Sequence, residues 1–180
     1  MHLHVRASIR PLAAASCAIA LTLSATPAAA TLFDMTSSLD GAQETPAVVT
    51  PATGFATGSY DDVTNLLTWS ITYSDLIGTT TNAHFHGPAA PGVGPAGVQL
   101  GISFTSGVTA ATLNGSGTIT EAQEADLLAG LWYINIHSTF RTGGEIRGQV
   151  YLTAVPEPGT LLLLGGALAF VSGWRRTPRA

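Results

Sequence analysis

Between its two ends this chain carries three histidines, His84, His86 and His137, and they hold most of the chemistry it can offer. His84 and His86 are two residues apart, with Asn82 two before them. In an extended strand such positions share a face, so the imidazoles project side by side while Phe85 turns to the opposite, apolar face. His137 closes YINIH, where Tyr133, Asn135 and His137 alternate with Trp132, Ile134 and Ile136. Imidazole nitrogens converging from two strands are donors that suit Zn²⁺ or Cu²⁺. Convergence requires the strand of His84 to lie beside that of His137. Otherwise the three are ordinary surface histidines, His137 knitting a hairpin and the HxH pair shaping the loop at Gly87.

The elements that would position them read as short strands. The run 143–152 is the hairpin partner of the His137 strand, with Ile146, Val150 and Leu152 alternating with Glu145, Arg147 and Gln149. Two registers keep the apolar faces together. One sets His137 opposite Arg147, the other opposite Glu145, which would orient the ring by a hydrogen bond from outside the ligand set. Strict alternation over 66–74 places Leu67, Trp69, Ile71 and Tyr73 on one face. Further strands are expected near Leu32 to Leu39, Gly54 to Tyr60, Asn82 to His86, Val98 to Phe104 and Ala110 to Ile119. Turn signals every 8 to 12 residues or so favour an all-β chain, an antiparallel β-sandwich of immunoglobulin-like or superoxide-dismutase-like kind. Its core is expected to hold Trp69, Ile71, Tyr73, Trp132, Ile134 and Val150.

One short crossover helix interrupts the strands. Thr120 and Gln123 form a capping box, Glu121 and Glu124 fall in the electropositive first turn, and Gly130 closes the end. The uncharged run GPAAPGVGPAG at 87–97 is a loop, without the lysine and following helix that a phosphate cradle needs.

Charge excludes one class of partner. Residues 31–155 hold ten acids against Arg141 and Arg147, and the chain contains no lysine. Such a domain cannot neutralise a run of phosphates, so no nucleic-acid partner is expected, nor attraction to anionic lipid. The single cysteine, Cys17, lies in the leader described next, so the mature domain forms no disulfide.

The two ends read as addresses. Arg6 and Arg10, an apolar stretch from Leu12 to Ala25, and the small run Ala28, Ala29, Ala30 follow the order of a secretory signal, with cleavage expected after Ala30. This assigns 1–30 to the leader, 31–154 to the fold and 155–180 to a tail. In the tail, Pro156, Glu157 and Pro158 precede an apolar run from Thr160 to Trp174 and then Arg175 and Arg176. About 15 apolar residues at 1.5 Å each fall short of a bilayer core of about 30 Å, with Trp174 and snorkelling arginines making up part of the gap. The positive-inside rule keeps the arginines cytoplasmic and puts the domain outside.

This tail resembles the PEP-CTERM sorting signal of exported bacterial proteins. The resemblance implies an exosortase as partner, a transient stay in the inner membrane by way of the C-terminal helix, and final residence at the cell surface or in the extracellular matrix. A second resemblance rests on AHFHG at 83–87, the Gly/Pro loop ending at Gly97, YINIH at 133–137 and GGEIRGQV at 143–150. Together these are similar to the CHRD domain over about Leu39 to Leu152. Val93 stands where Asn is common, and Thr142 where Pro often precedes the glycines. The resemblance implies an extracellular β-domain rather than a reaction. The HxH pair with a distant strand histidine is also similar to copper/zinc superoxide dismutase, although no bridging histidine and no disulfide are present.

No Ser/His/Asp, Cys/His or paired-acid constellation is visible. The favoured reading is therefore a non-enzymatic surface module that binds extracellular polysaccharide or surface proteins. A copper- or zinc-binding domain on His84, His86 and His137, supported by Glu145, Arg147 and Asn135, is the alternative, and a redox metalloenzyme a distant third.

Overall fold

The computed structural model describes residues 31–156. The leader with Ala28 and Ala30, and Glu157, Pro158, Arg175, Arg176 and the apolar run of the tail, lie outside the described residues. Among those described, no helix is long and apolar enough to cross a membrane.

Nine strands and one α-helix follow one another: β1 (Leu32–Asp40), β2 (Thr53–Asp61), β3 (Leu66–Ser74), β4 (Thr80–His86), β5 (Val98–Gly101), β6 (Ala111–Thr118), α1 (Glu121–Leu128), β7 (Tyr133–Ser138), β8 (Ile146–Gln149) and β9 (Tyr151–Ala154). All pairings are antiparallel, in the order β5-β4-β7-β8-β1-β2-β3-β6, with β9 also on β1. This one sheet folds back on itself, so that β3 faces β4 across the core. Trp69 of β3 meets Phe85 of β4 edge-on at 5.1 Å between ring centroids. Leu100 of β5 packs against Gly117 of β6, where the two ends of the sheet approach one another.

The alternating patterns are realised as burial. Leu67, Trp69, Ile71 and Tyr73 are buried, as are Trp132, Ile134, Ile136, Ile146 and Val150 on the hairpin. The helix begins where the capping box places it: the Thr120 side chain accepts from the Gln123 amide and the Gln123 side chain reaches back to the Thr120 amide. Gly130, just past its end, takes a φ of +69°, which glycine adopts without a Cβ penalty.

One expectation needs correction. The run 143–152 is not one strand: β8 lies between β7 and β1, β9 lies on β1 alone, and the ladder is interrupted at Val150. Here β1 and β8 come so close that a Cβ on Gly148 would collide with Ser37 and the Ser38 carbonyl. The polar face of the hairpin is covered as well. Tyr133, Asn135, Glu145, Arg147 and Gln149 are all buried: the Gly/Pro loop covers Tyr133, Arg147 and Gln149, while Thr50, Ile77, Gly78 and Ser138 enclose the Glu145 carboxylate. Gln149 Nε2 donates to the Ala89 carbonyl at 2.9 Å, Arg147 to the Ala90 carbonyl at 3.4 Å, and Tyr133 Oη accepts from the Ala96 amide at 3.1 Å. A sheet face covered on both sides holds buried polar groups only where the covering loops supply partners.

Candidate metal centre

β4 is hydrogen-bonded directly to β7, with Asn82 opposite His137, His84 opposite Asn135 and His86 opposite Tyr133. Because side chains two apart share a face, His84, His86 and His137 come together above these two strands. Their rings stand 5.2 to 5.8 Å apart between centroids. One nitrogen from each falls within 4.8 Å of the others, and His84 Nδ1 lies 3.2 Å from His137 Nε2.

Two of the rings are oriented by the backbone. His86 Nδ1 lies 2.9 Å from the Ala96 carbonyl and His137 Nδ1 lies 2.9 Å from the Thr142 carbonyl. A carbonyl only accepts, so these contacts assign the proton to Nδ1 in both rings and leave each Nε2 an acceptor, that of His137 facing His84 Nδ1. His86 Nε2 is buried with no hydrogen-bond partner. An unsatisfied buried acceptor costs about 1 to 3 kcal/mol.

Electrostatics keep the rings uncharged. Burial, reinforced by the other two imidazoles, holds His84 below the ordinary value of 6.5. Burial lowers His86 as well, helped by His137 and Arg147 and opposed by the bond to Ala96. His137 is lowered by burial against the opposing bond to Thr142. Neutral imidazoles have no proton to lose before they bind a cation.

Behind the cluster, Tyr133 stacks on His86 with ring centroids 5.2 Å apart and planes at 10°. The Arg147 guanidinium lies over the same Tyr133 ring, 3.5 Å from its centroid. On the open side, a groove bordered by Asn82, His84, Gly101 and Ser103 leads to His84.

The register found in β7–β8 is the one that aligns Asn135 with Arg147 and Ile136 with Ile146, which continues to His137 opposite Glu145. Glu145 nevertheless does not orient His137. Its carboxylate is turned to the Ser138 and Thr50 hydroxyls and the Ile77 and Gly78 amides, where it fastens the start of the β4 loop to the hairpin. The carbonyl of Thr142 holds the ring instead. Asn135 lies among the same side chains but turns toward Gly143, and Arg147 reaches the cluster only through Tyr133. The two orienting carbonyls left no mark in the sequence, because any residue supplies one. Tyr133 did, as the residue sharing a face with His137.

The CHRD domain matches residues 35–150, more than half of the chain. The chain belongs to the CHRD domain family. This CHRD domain ends immediately before a second match, the PEP-CTERM protein-sorting motif at residues 154–176, which marks the chain for export and sorting by an exosortase to the cell surface or beyond. No curated protein and no solved structure matches it. All three histidines fall inside the CHRD match.

Proposed function

We propose that this exported CHRD domain is a non-enzymatic metal-binding module of the cell surface or extracellular matrix, holding a zinc or copper ion on His84, His86 and His137. The observation that carries the reading is the convergence of three imidazoles, with one nitrogen of each within 4.8 Å of the others and His86 Nε2 buried without a hydrogen-bond partner. Metal-to-nitrogen bonds run near 2.0 to 2.1 Å, so nitrogens sharing one ion lie no more than about 4.2 Å apart. The present spread of 4.8 Å is wider than that, so binding requires the rings to draw closer. Backbone bonds at Nδ1 of His86 and His137 fix the tautomer that presents Nε2, as the outer partners of metal-bound histidines do. The structural alternative, three rings that merely knit the surface, leaves the orphaned nitrogen without a purpose.

Titration of Zn²⁺ or Cu²⁺ into the purified exported protein tests it. At a metal concentration about a hundredfold above Kd, binding to the native state alone adds about 2.7 kcal/mol, which raises Tm by roughly 5 to 10 °C. The shift is expected in the wild type and not in His86→Ala. A wild-type Tm that neither metal moves rejects the site.

A further inference from the structure

Resting on the reading of the histidine cluster as a metal site, we infer that the ion it selects is copper in the monovalent state, in preference to Zn²⁺. The donor set is the first reason. The cluster holds three imidazoles and no carboxylate or thiolate, in a domain where ten acids outnumber two arginines. Neither buried carboxylate belongs to the cluster: Glu145 is bonded to Ser138, Thr50, Ile77 and Gly78, and Glu44 lies beside Gly144, outside the histidine group.

The cost of withdrawing an ion from water grows with the square of its charge, so a divalent ion without an anionic ligand pays about four times what a monovalent one does. A d¹⁰ monovalent copper is satisfied by three nitrogen donors, whereas Zn²⁺ takes a fourth ligand. The second reason is the buried Arg147, whose guanidinium lies over Tyr133 while Tyr133 stacks on His86. A unit positive charge on the order of 10 Å from the ion, at an effective dielectric of about 20, favours the lower of two metal charges by about tenfold. Arg147 touches no ligand atom. It acts through Tyr133 and its field, as a residue that tunes the site.

The test is an anaerobic competition of the full-length exported protein against a chromophoric Cu⁺ chelator, paired with Zn²⁺ competition against a zinc-binding dye. Cu⁺ is expected to bind at least about a hundredfold more tightly than Zn²⁺, the direction set by the charge-squared cost of desolvation. Zn²⁺ binding as tight as Cu⁺ overturns the inference and leaves a metal site standing. Failure of both ions to bind overturns the metal reading as well.

Voltammetry of the copper-loaded protein isolates Arg147. The measurement is made at pH 6, where Glu44, pushed up to about 7 by burial, is mostly uncharged. Arg147→Gln is expected to lower the preference for Cu⁺ over Cu²⁺ about tenfold, a fall of about 59 mV for one electron, with Arg147→Lys retaining most of the wild-type potential. Equal potentials in the wild type and Arg147→Gln, or equal falls in both variants, overturn the electrostatic role. If Arg147→Gln does not fold, the wild-type affinity ratio still decides the selection of Cu⁺.

Discussion

Glu44 and Glu145 are two buried acids of one fold whose surroundings push them in opposite directions. Burial alone raises a carboxyl pKa, and at Glu145 four donors outweigh it: the Ser138 and Thr50 hydroxyls and the Ile77 and Gly78 amides hold it below the ordinary 4.5. At Glu44 burial wins over the attraction of Arg147 and the bond from Asn135, and the carboxyl rises to about 7. The folded state thus keeps the Glu44 proton up to about pH 7, while the unfolded chain releases it near 4.5. Folded protein binds more protons across that window, so the Glu44 contribution to stability declines as pH rises from about 4.5 to 7 and is flat above it. Glu44→Gln is therefore expected to stabilise the domain at pH 8 by about 2 to 3 kcal/mol and to change little at pH 4.5. Denaturant melts at the two pH values check this, and an equal effect at both would show that the carboxyl is not held neutral. At this scale the sequence was legible for side-chain identity and face, as with His84, His86 and His137, and illegible for partners. The donors to Glu145 come from residues 50, 77, 78 and 138, which only the closed fold brings together.

Period-two alternation placed the core face of β3 and of the β7–β8 hairpin correctly, since one face of each meets the opposite layer of the sheet. Ile134, fully buried between Phe85 and Gly148 in the neighbouring strands, gives the direct check. Ile134→Ala is expected to cost about 2 to 5 kcal/mol through lost burial and a residual cavity, measured by equilibrium unfolding. A cost below about 0.5 kcal/mol would mean that the two faces are reversed. Burial of the other face was not legible, because alternation cannot distinguish a polar face in water from one roofed by loops that satisfy it. The Gly/Pro loop is such a roof: its small side chains follow no period that reveals burial, and it holds Arg147, Gln149 and Tyr133 through its backbone. Pairing of β4 with β7 was likewise beyond local pattern. The bonded ring nitrogens of His84 and His137 lie 53 residues apart along the chain, and only the long-range order of the sheet makes their strands neighbours.

Across the whole molecule, the described ends of the domain lie side by side. Phe33 of β1 pairs with Ala154 of β9, and the Val155 amide donates to the Leu32 carbonyl at 2.8 Å. The sorting motif at 154–176 therefore begins where the last strand stops, with no spacer between fold and signal. The row of residues running Asp40, Arg147, Asn135, His84 across β1, β8, β7 and β4 puts the histidines level with the far end of β1. At about 3.3 Å per residue, the nine residues of β1 separate that row from the Leu32 end by roughly 26 Å. A domain held by its tail would present the cluster away from the point of attachment, accessible to ions arriving from outside. Processing at both ends is the remaining expectation, and one measurement reads both. Intact-mass analysis of protein recovered from outside the cytoplasm is expected to show a chain beginning at Thr31 and, where an exosortase is present, lacking Arg175 and Arg176. Because Val155 is bonded into the sheet edge, a cut after it leaves the ladder whole, and the trimmed protein should melt at the temperature of the untrimmed one. A secreted chain that still ends at Ala180 would contradict sorting by cleavage. A trimmed chain that melts several degrees lower would place the cut inside β9 rather than beyond it.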